Sequence, residues 1–262
     1  MKTSERKARS RLLRQVLRVL EKQLGRRRRR RRPDALETLL HSVLAGSGSD
    51  LLAGRILEKL HVELVDWNEL RVTTPREIEE LISPLGDAAE KALILRRILH
   101  KLFRERHSLS LGHFKRFGQE RLSQDLDELG GLTEPMKARI LLKAFDVNVL
   151  PLTEDIERVT KRLGLIESYL TAGKVKEAIE EILPPKRVYS FYHLMSEHAE
   201  TTCVARSYVC TTCVLADMCA RGKLVLRGEG ASPLRRAAGA PKPGGAGLGT
   251  PVTDKQGEQV SN

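Results

Sequence analysis

The sequence predicts an all-α fold. Apolar residues recur at helical three- and four-residue spacing from Leu12 to Met195, and no segment alternates as a half-buried strand would. A tight group of four cysteines closes the part of the chain expected to be ordered. Leu12, Leu13, Val16, Leu17, Leu20 and Leu24 place one face of an N-terminal helix. Leu36, Leu39, Leu40, Val43 and Leu44 make a second, and Leu51, Leu52, Ile56, Leu57 and Leu60 a third. Asp66 precedes Trp67 at a further helix start, where the lone tryptophan is expected in the core. Thr74-Pro75 reads as an N-cap and first-turn proline opening a helix through Ile78, Leu81 and Ile82.

A longer helix carries Leu93, Ile94, Ile98, Leu99, Leu102 and Phe103. Leu122, Leu126 and Leu129 then lead into the turn Gly130-Gly131, after which Ile140, Leu141, Ala144 and Phe145 form the next face. Beyond Pro151 come three more faces: Ile156, Val159 and Leu163; Val175, Ile179 and Ile182; Val188, Phe191, Tyr192 and Met195. His41, His193 and His198 fall within helical patterns as packing or capping residues. From about Gly228 the chain is rich in Gly, Pro, Ala and charge, and too poor in apolar surface to offset the loss of chain entropy.

The net charge of +12 is uneven. Residues 1–33 hold 15 Lys+Arg against 2 Asp+Glu, which leaves 31 basic and 32 acidic residues for everything else. Basic character therefore belongs to the N-terminal arm and its run Arg26–Arg32. That run suits phosphate contacts that weaken as salt rises, or a solvated linker. No apolar run approaches the roughly 20 residues of a membrane span. The basic, periodic start lacks the apolar block of a secretory signal. The expectation is a cytoplasmic protein, nucleoid-associated if bacterial, whose thiols stay reduced.

In such a compartment the four cysteines, Cys203, Cys210, Cys213 and Cys219 in the pattern C-x6-C-x2-C-x5-C, are a metal-ligand set. Soft thiolates select zinc, copper(I) or an iron–sulfur cluster, and four of them suit tetrahedral zinc or a cubane. Spacing alone leaves these open.

The segment LDELGGLTEPMKARILLKAF is a helix, a Gly turn and a second helix. Such a turn can aim backbone N–H groups at a phosphate, aided by the second helix's dipole. VLPLTEDIERVTKRLGLI follows shortly after it, and then the cysteines. In that order the chain resembles the endonuclease III family of helix-hairpin-helix DNA glycosylases over roughly residues 35–222. LLHSVLAGSGSD, ending in Asp50, looks like the family's early helix and loop; Gly86 with Lys91-Ala92, and His198 five residues before Cys203, also fit.

The resemblance implies a base-excision-repair scaffold. A six-helix barrel would cover 34–150. A cluster domain at 151–222 would pack with the basic N-terminal helix of segment 1–33, and 223–262 would be a disordered tail. It favours a [4Fe-4S] cluster on the four cysteines and double-stranded DNA, damaged or not, as partner. Gly130, Gly131, Leu132 and Thr133 would contact the DNA. Family members extrude a damaged base into the cleft between the two domains before cutting its glycosidic bond.

Four positions depart from the family. Thr153 stands where an Asp stabilises the cationic transition state, and Pro135 where bifunctional members carry the Schiff-base Lys. Ser47 stands where a Gln commonly fills the gap left by the extruded base, and Thr133 takes the slot of the hairpin's second glycine. The expectation is a cluster-bearing DNA-binding protein without the usual glycosylase or lyase chemistry. The alternatives are an active glycosylase or abasic-site lyase using relocated residues such as Asp155 and Lys137, or a structural or redox-responsive cluster protein. Lys137, two residues past Pro135, is expected to face solvent.

Overall fold

The computed structural model describes residues 3–27, 32–116 and 118–229; Arg28–Arg31 and the tail from 230 lie outside the described residues. Among the described residues the fold is helical, with no strand and no helix long and apolar enough to cross a membrane. The α-helices are α1 (Thr3–Leu24), α2 (Ala35–Ala45), α3 (Asp50–Glu63), α4 (Trp67–Val72), α5 (Pro75–Leu81) and α6 (Ala88–Arg106). After a 3₁₀ turn at Gly112–Arg116 follow α7 (Gln119–Leu129), α8 (Glu134–Ala144), α9 (Glu154–Leu163), α10 (Ala172–Ile182), α11 (Val188–Thr201) and α12 (Ala220–Leu226).

Helix starts follow local chemistry. The Asp34 carboxylate accepts from the Leu36 and Glu37 amides at 2.9 and 3.1 Å, satisfying donors that the first turn of α2 leaves open. Thr74 and Glu77 close a reciprocal capping box on α5, with Pro75 at its first turn. Gly164 ends α9 at φ +76°, a conformation that side chains strain to adopt.

The helices share two apolar cores. One gathers α2 to α8 around fully buried Leu39, Leu40, Val43, Leu60, Ile78, Ile98 and Ile140, with Trp67 half-buried at its edge. The other joins the apolar face of α1 (Leu13, Val16, Leu17, Leu20) to α9, α10 and α11 and to Leu215 and Cys219 of the cysteine loop. Helix α8 serves both, since Ile140 and Leu141 point into the first core and Leu142 into the second.

The chain stays helical past residue 223, where the tail was expected to begin, because α12 packs against α9 and the cysteine loop. That contact is close: a Cβ on Gly222 would lie 2.5 Å from the Ala216 carbonyl oxygen. Only a glycine lets the two backbones meet there.

Candidate functional site

The hairpin occupies the corner between α7 and α8. Gly130 and Gly131 turn the chain at φ +75° and +82°, and the side of Gly131 that lacks a Cβ faces Ile94 of α6. Leu132 is half-buried and Thr133 caps α8, its own N–H pointing at Met136 Sδ 3.5 Å away. The four hairpin residues singled out by sequence thus form one exposed turn at a helix start.

Pro135 lies in the first turn of α8. Lys137 does not face solvent as expected. Its side chain is 10% exposed, and its ammonium is held 2.5 Å from Asp127 and also by Glu134. Burial works to neutralise this amine, but the bonds to Asp127 and Glu134 outweigh it and hold its pKa above the ordinary lysine value. Thr153 is buried, and its hydroxyl accepts from the Ile156 amide at 3.3 Å as the N-cap of α9. Asp155 binds Arg158, whose guanidinium donates to the Cys203 and Ala199 carbonyls. Ser47 is exposed on the early loop.

Behind that loop lies a buried polar network that sequence reasoning missed. Arg139 of α8 is fully buried; its Nε donates to the Tyr192 hydroxyl at 2.7 Å and lies 3.0 Å from Asp50 Oδ1. Its terminal nitrogens donate to the Ser42 and Gly46 carbonyls at 3.2 Å. Tyr192 donates to Asp50 Oδ2 at 2.6 Å and Lys143 to the same oxygen at 3.1 Å. Burial alone would raise the Asp50 carboxyl, but Lys143 and Arg139 hold it below the usual carboxylate range. Glu200 of α11 accepts from the Ser49 hydroxyl and from the Asp50 and Leu51 amides, the latter at 2.9 and 3.0 Å. The sequence signal was present: Arg139 and Lys143 stand four apart within the otherwise apolar ARILLKAF.

Two histidines border this network. Burial lowers His41 to about 4 and His193 to about 3, and nearby Lys143 pushes in the same direction. The unfolded chain, with ordinary histidines near 6.5, takes up protons first on acidification. Stability is therefore full above that value and falls as the pH drops towards 4. From about pH 7 to about pH 5 the loss is expected to be on the order of 3 kcal/mol for the pair. Urea unfolding at the two pH values checks it, and His41→Gln should remove part of the dependence.

The four cysteines line one small enclosed cavity together with His198, Arg162 and Tyr208. The chain leaves α11 at Thr201, and the Cys203 amide donates back to the His198 carbonyl at 2.8 Å. Arg162 reaches in from α9: one nitrogen lies 3.4 Å from Cys203 Sγ, and its guanidinium covers the Tyr208 ring at 4.0 Å. The Leu215 amide points at Cys213 Sγ from 3.4 Å. Burial, and then the neighbouring thiols, raise the pKa of Cys210, Cys213 and Cys219. Such a site suits a resident cation group that offsets mutual repulsion of thiolates. Among the described residues no three ligating side chains converge on a single metal position.

No protein-family model matches the chain. It is 26% identical over 191 residues to the endonuclease III of a Synechocystis strain, covering 70% of this chain and 80% of that protein. It is also 26% identical over 100 residues to the endonuclease III of Sulfolobus acidocaldarius, covering 38% of this chain and 45% of the relative, so the matched part spans less than half of that protein. A solved structure of a trapped endonuclease III–DNA covalent intermediate superposes with a TM-score of 0.67 at 21% identity, covering 87% of this chain and 100% of that one. By sequence the chain is similar to endonuclease III proteins, and it shares the helix-hairpin-helix fold of solved endonuclease III.

Proposed function

We propose that this chain binds double-stranded DNA through the Gly130–Thr133 turn and holds a [4Fe-4S] cluster on Cys203, Cys210, Cys213 and Cys219, on a scaffold whose two reaction positions carry neither an acid nor an amine. The observation that carries the loss of chemistry is that both relocated candidates, Asp155 and Lys137, are already engaged elsewhere. Thr153 caps α9, Asp155 is bound to Arg158, and Lys137 is held charged between Asp127 and Glu134. An amine that attacks a sugar must be partly neutral, which this pairing opposes.

The cluster reading is supported by four thiols around one cavity, with Arg162 and a backbone amide directed at sulfur. A single zinc needs all four sulfurs about 2.3 Å from one point, whereas each thiolate of a cubane binds its own iron. When bound, the cluster would supply a four-point cross-link between α11, the loop and α12, and a redox-active centre. The division into a barrel at 34–150 and a cluster domain at 151–222 with α1 belongs to the same proposal, as does a reducing, cytoplasmic setting.

Borohydride trapping on abasic-site duplex tests the chemistry. The native chain is expected to give no covalent adduct, whereas the double variant Pro135→Lys, Thr153→Asp should gain one. Asp is also a good N-cap, so the second change is structurally mild. An adduct from the native chain, or base release that Asp155→Asn abolishes, would overturn the reading in favour of relocated catalysis.

A further inference from the structure

A groove of about 800 Å³ lies beside the hairpin and has no part in the chemistry above. One wall is α6, which presents Arg96, Arg97, His100, Lys101 and Arg104 along one face at helical spacing. The other wall is the end of α7 and the first hairpin glycine, from Glu128 to Gly130. Lys101 donates to the Glu128 carbonyl and lies 3.7 Å from Glu105, so it ties the two walls together. Arg97 reaches the turn itself: its guanidinium lies 3.6 Å from where a Cβ on Gly131 would project. Among the described residues no carboxylate pairs with Arg96, Arg97 or Arg104.

We propose that this groove carries the sugar–phosphate backbone of the DNA strand onward from the hairpin, with Arg97 and Arg104 as phosphate contacts. This rests on the hairpin being the DNA-binding element. The bland account is that basic residues near a helix C-terminus answer its dipole. That account covers Arg104, in the last turn, but not Arg96 and Arg97, which lie more than two turns from the end where the dipole no longer acts. From Arg96 to Arg104 the face runs about 12 Å at 1.5 Å per residue, the axial span of roughly three to four phosphates of one strand. Continuity with the hairpin turn, together with a single facing carboxylate at Glu128, favours a nucleic-acid strand over an acidic protein.

The test is equilibrium binding of the full chain to an undamaged duplex over about 50 to 200 mM salt. The variant is Arg97→Gln, Arg104→Gln, both exposed on α6. Each lost phosphate contact should lower the slope of log K against log salt by about 0.9, so the double variant should lose about 1.8. Arg97→Lys, Arg104→Lys should keep the slope, which a merely structural role would not predict. Each single Gln variant, with half the change, keeps the test open if the double variant folds poorly. A wild-type slope retained by the folded double variant overturns the groove and leaves the hairpin reading standing. No duplex binding by the native chain overturns both.

Discussion

Arg139→Met is expected to destabilise the protein by about 3–5 kcal/mol, because removing one partner of a buried ion pair strands the other. Asp50 would keep its place at the start of α3 while losing the guanidinium 3.0 Å away, and the Ser42 and Gly46 carbonyls would lose their donor. The urea midpoint at neutral pH measures this by helical circular dichroism. Adding Asp50→Asn should recover part of the loss, since the stranded charge is then gone. The pH dependence has a definite sign. Asp50 is held below its ordinary value, so its contribution is complete above about pH 4 and fades on further acidification. The gap between native and variant should therefore narrow in acid. A loss below about 1 kcal/mol at neutral pH would mean that Lys143 and Tyr192 suffice without Arg139.

Cys213→Ser should have an effect as large or larger, if the cluster reading holds. Metal-dependent small domains draw on the order of 10 kcal/mol of folding energy from their metal, comparable with the whole stability of an ordinary domain at about 5–15 kcal/mol. The second core depends on the loop directly, since Leu215 and Cys219 are buried within it. The variant is expected to lack iron and inorganic sulfide and the visible absorbance of the native protein. The helical signal of α9 to α12 should melt well below that of α2 to α8. Equal midpoints for native and variant, with no iron in either, would remove the cluster from the account.

Much of this was legible in the chain because helices announce themselves by spacing. The faces at Leu36–Leu44 and Leu122–Leu129, the cap at Thr74-Pro75 and the hairpin glycines all stand where periodicity put them. What escaped depends on contacts between distant segments. Lys137 sits on the side of α8 that looked solvent-facing, yet Asp127, ten residues earlier, comes across the hairpin to bury it. Helix α12 is short, and its place depends on Gly222 meeting Ala216 rather than on an apolar stripe. The Asp50 network spans α2, α3, α8 and α11, and no local pattern predicts which buried cation finds which carboxylate.

Glu200 stands three residues before Cys203, in the last turn of α11, and its carboxylate receives three donors from the opening of α3. Fraying of that single turn would release all three together. The early loop next to Ser47 is thus latched by a helix end whose neighbour in sequence is a thiol. Whatever steadies or loosens that thiol also governs the grip on the loop, through a linkage only one helical turn long.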